Sequence, residues 1–128
     1  MAHLEKHNIT VSSRGLLPRV PFLEIKEAVL GKRYSLSISF VSPQKAQLLN
    51  KTHRSKSYIP NTLSFTLSKT SGEIVLCQSQ IKKEYKKFDM SYRTYLIFIL
   101  IHSMLHLKGM NHGSTMEAKE EKYLSLFR

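Results

Sequence analysis

Residues 91–112 read SYRTYLIFILIHSMLHLKGMNH. Ser91 is a helix-capping residue type, and the apolar run Leu96–Ile101 with Leu105 carries the longest helix of the chain, predicted over about 92–108. Gly109 ends it, since glycine enters the left-handed conformation at little cost. His102 and His106 stand four apart, so their imidazoles share one helix face a turn apart. The turn at Gly109 can bring His112 back to the same point. A histidine pair at this spacing is common and usually holds nothing. Here the helix is markedly apolar, so an unpaired imidazole is costly, and a third histidine follows at once. Three neutral imidazoles describe a zinc site with an open fourth position, not a closed structural one. The reading is one Zn²⁺ on His102, His106 and His112.

The rest of the chain supplies the frame. Residues 6–12 are read as a first strand, and a helix follows at about 21–31, ended by Gly31. In 34–41, Leu36, Ile38 and Phe40 alternate with polar residues, as in a half-buried strand. Ser42 caps a short helix that opens with Pro43. Leu63, Phe65 and Leu67 alternate next, Ser71-Gly72 is read as a turn, and Ile74 to Cys77 runs back to complete a hairpin. A basic helix at about 78–88 and an amphipathic one at about 115–127 flank the long helix. The order βαβαββααα predicts an α+β fold: a single small mixed sheet packed with helices, with the metal site on the long helix and the following turn. Residues 1–128 are read as one metallohydrolase domain.

The chain has 128 residues, of which 41% are hydrophobic and 23% charged. That composition excludes disorder and allows a core without staples. The lone Cys77 can form no internal disulfide and fits a reducing compartment. The start, Met-Ala-His-Leu-Glu-Lys, has no apolar run behind basic residues, so no signal peptide is expected and the protein is read as cytoplasmic. The apolar stretch Tyr95–Ile101 is too short to span a bilayer, so no membrane partner is expected. Twenty Lys and Arg oppose nine Asp and Glu, a net charge of +11. Between Lys45 and Lys87 the only acids are Glu73 and Glu84. Such a balance favours polyanions, nucleic acid first among them.

Position 103 narrows the chemistry. The histidine spacing matches the zinc-peptidase pattern H-E-x-x-H-x-x-G-x-x-H, but Ser103 stands where the general-base glutamate belongs. The acid nearest the motif in sequence is Glu117. RNA carries its own nucleophile in the 2′-hydroxyl, so the missing glutamate matters less for RNA than for a peptide. A metal site without that base on a basic chain points to RNA before protein.

Residues 102–112 resemble the motif H-G-x-L-H-L-x-G-x-D-H of the YbeY endoribonuclease family, with Ser103 for Gly and Asn111 for Asp. Arg54 and the downstream Asn61, Leu63, Ser64 and Phe65 are similar to the family's R-x-K…[DN]-V-L-S-F stretch. Gly72 to Cys77 is similar to its G-D-I-[VF]-I-[CS] strand. The resemblance covers roughly residues 35–128. It implies a zinc-dependent, single-strand-specific endoribonuclease acting in rRNA maturation, notably at the 3′ end of 16S rRNA, and in ribosome quality control. Its partners would be single-stranded RNA, above all rRNA, and ribosomal proteins. It further implies that His102, His106 and His112 are the zinc ligands and that Arg54 faces the substrate phosphate, a role suited to the planar guanidinium fork. Asn111 removes a carboxylate beside His112, and Ser103 is expected to add bulk near the open side of the metal. Two other readings stay open on the residues alone: a metallopeptidase-like hydrolase, and a non-catalytic ribosome-associated module with a structural zinc.

The remaining candidates have plainer readings. His53 is a solvated loop residue beside Arg54, and His3 and His7 carry no metal. Ser64 is a strand residue that can face the cleft. Cys77 is a buried small apolar residue. Lys82, Lys83, Lys86 and Lys87 form a solvated charged face that could extend an RNA track.

Overall fold

The computed structural model describes residues 2–128. Its elements are β1 (Ala2–Lys6), β2 (Ile9–Ser13), α1 (Phe22–Val29), β3 (Ser35–Phe40), α2 (Pro43–Arg54), β4 (Thr62–Ser68), β5 (Ser71–Leu76), α3 (Gln78–Glu84), α4 (Tyr92–Leu107) and α5 (Ser114–Phe127). A 3₁₀ turn, Tyr85–Phe88, joins α3 to the α4 approach. The five strands form one mixed sheet in the order β1-β2-β3-β5-β4. β3 pairs in parallel with β2 and β5, and the edge strands β1 and β4 are antiparallel to their neighbours. This is the expected α+β architecture.

The pleat sets which residues enter the core. Register places Val11, Ile38 and Ile74 side by side across β2, β3 and β5, and all three are fully buried. Phe22, Ile25 and Val29 of α1 join the same core, as do Leu96, Ile97, Leu100, Ile101 and Met104 of α4. α4 is buried on nearly every side, in contact with α1, α3, α5, β4 and β5. That explains its apolar run, which has no polar face to spare. No described helix is long and apolar enough to cross a membrane.

Two boundaries differ from the sequence reading. The first strand is two strands, joined by a tight turn at His7-Asn8 with φ of 49° and 65°. Asparagine tolerates that region, but without an Asn-Gly pair the turn carries a weak sequence signal. The β4–β5 turn lies at Lys69-Thr70, and Ser71 and Gly72 already belong to β5. Gly72 is needed for close approach: a Cβ there would sit 2.3 Å from the Tyr34 hydroxyl and 3.0 Å from Leu107.

Strand β4 turns out to be two-faced. Its apolar positions decline from buried Leu63 to Leu67, 64% exposed, while Phe65 stacks edge-on against His53 of α2. Its polar positions face α4. Thr62 Oγ1 lies 2.8 Å from Ser103 Oγ, and Ser64 donates its hydroxyl to the Ser103 carbonyl. His53 is therefore a helical residue packed on a ring, not a loop residue.

Candidate metal centre and cleft

The end of α4 builds the site. Gly109, at φ +88°, donates its N–H to the His106 carbonyl, and Met110 donates to the Leu105 carbonyl. This paired ending satisfies two of the helix's last carbonyls and reverses the chain. Met110 then places its own carbonyl 3.0 Å from His106 Nδ1. His106 thus donates Nδ1–H to Met110 and turns the lone pair of Nε2 outward. His102 is oriented the same way by another helix. Its Nδ1–H is held by the carboxylate of Glu120 on α5. Both contacts fix the tautomer that leaves Nε2 free to bind, as orienting partners of metal-bound histidines do.

The three rings converge. Nε2 of His102 lies 3.1 Å from Nε2 of His106, close to the roughly 3.3 Å separation of two nitrogens on a tetrahedral zinc. His112 brings its ring centroid to within 5.1 Å of His102 and 4.9 Å of His106. One ligand nitrogen from each of the three lies within 4.8 Å of the others. Burial, and after it the charge of His102, hold the His106 imidazole below its ordinary value, against the raising effect of Met110. A neutral imidazole is the metal-binding form. The donor set and its orienting bonds fit a divalent ion.

The histidines open into a cleft of about 690 Å³, lined also by Arg54, Tyr58 to Thr62, Ser64, Gln80 and Glu84. Arg54, in the last turn of α2, is thereby brought to the same cleft as the histidines, although 48 positions separate it from His102 in sequence. Ser64 lines the cleft as well. Glu84 is already engaged: Asn61 Nδ2 and the Tyr95 hydroxyl donate to Oε1, and Gln80 Nε2 donates to Oε2.

The family model described as "Endoribonuclease YbeY" matches residues 5–127. The chain belongs to the YbeY family. A YbeY relative from Alkaliphilus metalliredigens, named Endoribonuclease YbeY, is 33% identical over 98 residues, covering 68% of this chain and 63% of its own length. The relative of that name from Alkaliphilus oremlandii is 33% identical over 107 residues, 72% of this chain and 71% of its own length. One from Cupriavidus metallidurans is 30% identical over 122 residues, covering 90% of this chain and 61% of its own length. The chain thus spans 61 to 71% of the length of these YbeY relatives. The solution structure of TM1509 from Thermotoga maritima shares the fold, with a TM-score of 0.62 and 23% identity over 90% of this chain and 87% of that one.

Several placements differ from those read off this YbeY sequence. Ser103 does not crowd the metal's open side. It is fully buried between α4 and β4, where its hydroxyl donates to the Ile99 carbonyl and meets Thr62, and it is not among the residues that line the cleft. Asn111 is exposed and does not line the cleft. Cys77 is buried as read. His3 pairs with Glu5 at 3.5 Å, and His7 occupies the first turn. The nearest acid in sequence, Glu117, lies with Glu120 in a separate recess behind His102 and His112. Glu120 was the residue sequence reasoning missed. Its signal was available: Met116, Glu120 and Leu124 share the four-residue spacing of a buried face, and a carboxylate on such a face calls for a partner.

Proposed function

We propose that residues 1–128 form one domain that acts as a zinc-dependent endoribonuclease specific for single strands. The observation that carries this reading is the convergence of His102, His106 and His112 with Arg54 on one polar cleft. On this reading His102, His106 and His112 hold one Zn²⁺. A zinc ion there would supply Lewis-acid polarisation of a phosphodiester and stabilise charge on the departing oxygen.

The chain's own groups do the rest. Arg54 binds a non-bridging pair of phosphate oxygens through its planar fork and sets the register of the strand. Glu120 and the Met110 carbonyl keep the two helical imidazoles in the orientation that the ion requires. The RNA's 2′-hydroxyl serves as the nucleophile. The net charge of +11 draws the polyanion in.

The acids argue against peptide hydrolysis. Glu120 is committed to His102, and both oxygens of Glu84 already accept hydrogen bonds. Neither stands at the position of the zinc-peptidase general base, which Ser103 occupies here. In the cell we place the protein in the cytoplasm, on ribosomal RNA at the 3′ end of the 16S species, in contact with ribosomal proteins. The discriminating experiment offers the zinc-loaded protein a single-stranded RNA, a duplex RNA and a casein-like protein in parallel. Cleavage of the single strand alone is the expected result. Turnover of casein with RNA left intact would transfer the assignment to a metallopeptidase. No turnover, with a fourth protein ligand on the metal, would leave a binding module.

A further inference from the structure

Tyr58 stands apart from the other aromatic residues near the site. Tyr95 is buried and Phe98 is half-buried against His102, whereas Tyr58 is 55% exposed although it lines the same cleft as Arg54 and the three histidines. A single exposed ring is ordinary on a protein surface. What distinguishes this one is its support. Ser55, at φ +56°, ends α2 and turns the chain sharply. Two side chains of α2 then fix the segment that follows. Gln47 donates Nε2 to the Ser57 carbonyl at 2.7 Å, and Asn50, itself fully buried, donates Nδ2 to the Tyr58 carbonyl at 3.0 Å. Two hydrogen bonds from α2 thus hold the backbone under the ring, while the residue stays more than half exposed. An exposed aromatic ring beside an arginine in a polar cleft is an arrangement by which proteins stack unpaired bases.

The charges of the cleft say which part of the nucleotide comes here. Arg54 and a metal on the histidines attract phosphate. Glu84, on the same lining, repels it. The phosphodiester therefore sits toward Arg54, and the base is left for the ring four residues further along the chain.

We propose that Tyr58 is a stacking platform for an unpaired nucleobase next to the reacting phosphodiester. The proposal rests on the nuclease reading for the identity of the strand and adds the group that requires the base to be unpaired. Stacking on an aromatic side chain accepts any base, so it selects for single strands and not for sequence.

The test separates binding from cleavage. A fluorescein-labelled 2′-O-methyl RNA oligonucleotide, which offers no 2′-hydroxyl nucleophile, is titrated by anisotropy into wild type, Tyr58→Phe and Tyr58→Ala. The same is done with a set of oligonucleotides carrying one abasic site at successive positions. Tyr58→Ala is expected to bind roughly 5- to 150-fold more weakly, with Tyr58→Phe close to wild type. One abasic position should erase the difference between wild type and Tyr58→Ala. Equal binding by Tyr58→Ala, or the same loss on every abasic strand as on the intact one, would overturn the platform. So would binding of a peptide in preference to RNA. Cleavage of unmodified RNA is measured in parallel. If Tyr58→Ala weakens binding as stated but wild type cleaves nothing, the nuclease reading fails and the platform stands. If wild type cleaves and Tyr58→Ala binds equally well, the platform alone fails.

Discussion

Glu120 of α5 accepts the Nδ1 proton of His102 of α4, so the carboxylate of one helix fixes the metal-facing nitrogen of the next. The contact is well sheltered, with side-chain exposures of 9% for Glu120 and 21% for His102. It links the last helix of the chain to the site without giving the site another ligand. Removing it should loosen the metal and leave the fold in place.

Glu120→Gln keeps the shape of the side chain and removes its charge. Affinity for Zn²⁺ should fall by about 10- to 100-fold, as it does when the orienting partner of a ligand histidine is lost. Competition against a chelating dye measures this directly. Cleavage should recover at saturating zinc. Unchanged affinity would mean that Glu120 only packs α5 against α4.

Gly109 occupies φ +88° with open space around its Cα, so an added methyl group would meet backbone strain but no clash. Gly109→Ala should cost about 1 kcal/mol in urea unfolding. It should also weaken metal binding, because the same turn aims the Met110 carbonyl at His106 and returns His112. A stability loss with no change in affinity would separate the turn from the site.

Ser103 is a packing residue whose hydroxyl contacts Thr62 and the Ile99 carbonyl. Ser103→Ala leaves Thr62 without that partner and should destabilise the protein by about 1 kcal/mol. Zinc affinity should not change, since the Ser103 hydroxyl is engaged by Thr62 and the Ile99 carbonyl and the residue does not line the cleft. A marked change in affinity would restore the earlier view that this position shapes the metal's open side.

Tyr95 carries a pH dependence. Burial first, and then the negative charge of Glu84, push its phenol from the ordinary 10.0 up to about 12. The folded-state value lies above the unfolded one, so the stability it contributes is complete below pH 10 and is lost as the pH rises through about 12. A gap of that size corresponds to roughly 2–3 kcal/mol. The urea midpoint of wild type should fall relative to that of Tyr95→Phe as the pH rises across that range. Parallel curves would contradict it.

The sequence shows some of this better than the rest. The strand alternation at Leu36, Ile38 and Phe40, the Ser42 and Ser91 caps and the Gly109 stop are local signals, and all appear in the structure. So does the histidine cluster, because its spacing falls within one helix and one turn. What escaped was contact across elements. No local pattern pairs Glu120 with His102, or places Thr62 against Ser103. The β1–β2 hairpin escaped for a different reason: His7-Asn8 adopts positive φ without the glycine that usually marks it. Glu84 reads as one acid in a basic run until Asn61, Gln80 and Tyr95 are seen to converge on it.

The central claim is that the three histidines hold the metal on which RNA cleavage depends. It is tested most directly by elemental analysis of purified wild type and His106→Ala, paired with cleavage of one single-stranded RNA by both. The account predicts close to one zinc per wild-type chain with cleavage, and neither metal nor cleavage in His106→Ala. Full cleavage by a folded, metal-free His106→Ala protein would contradict it.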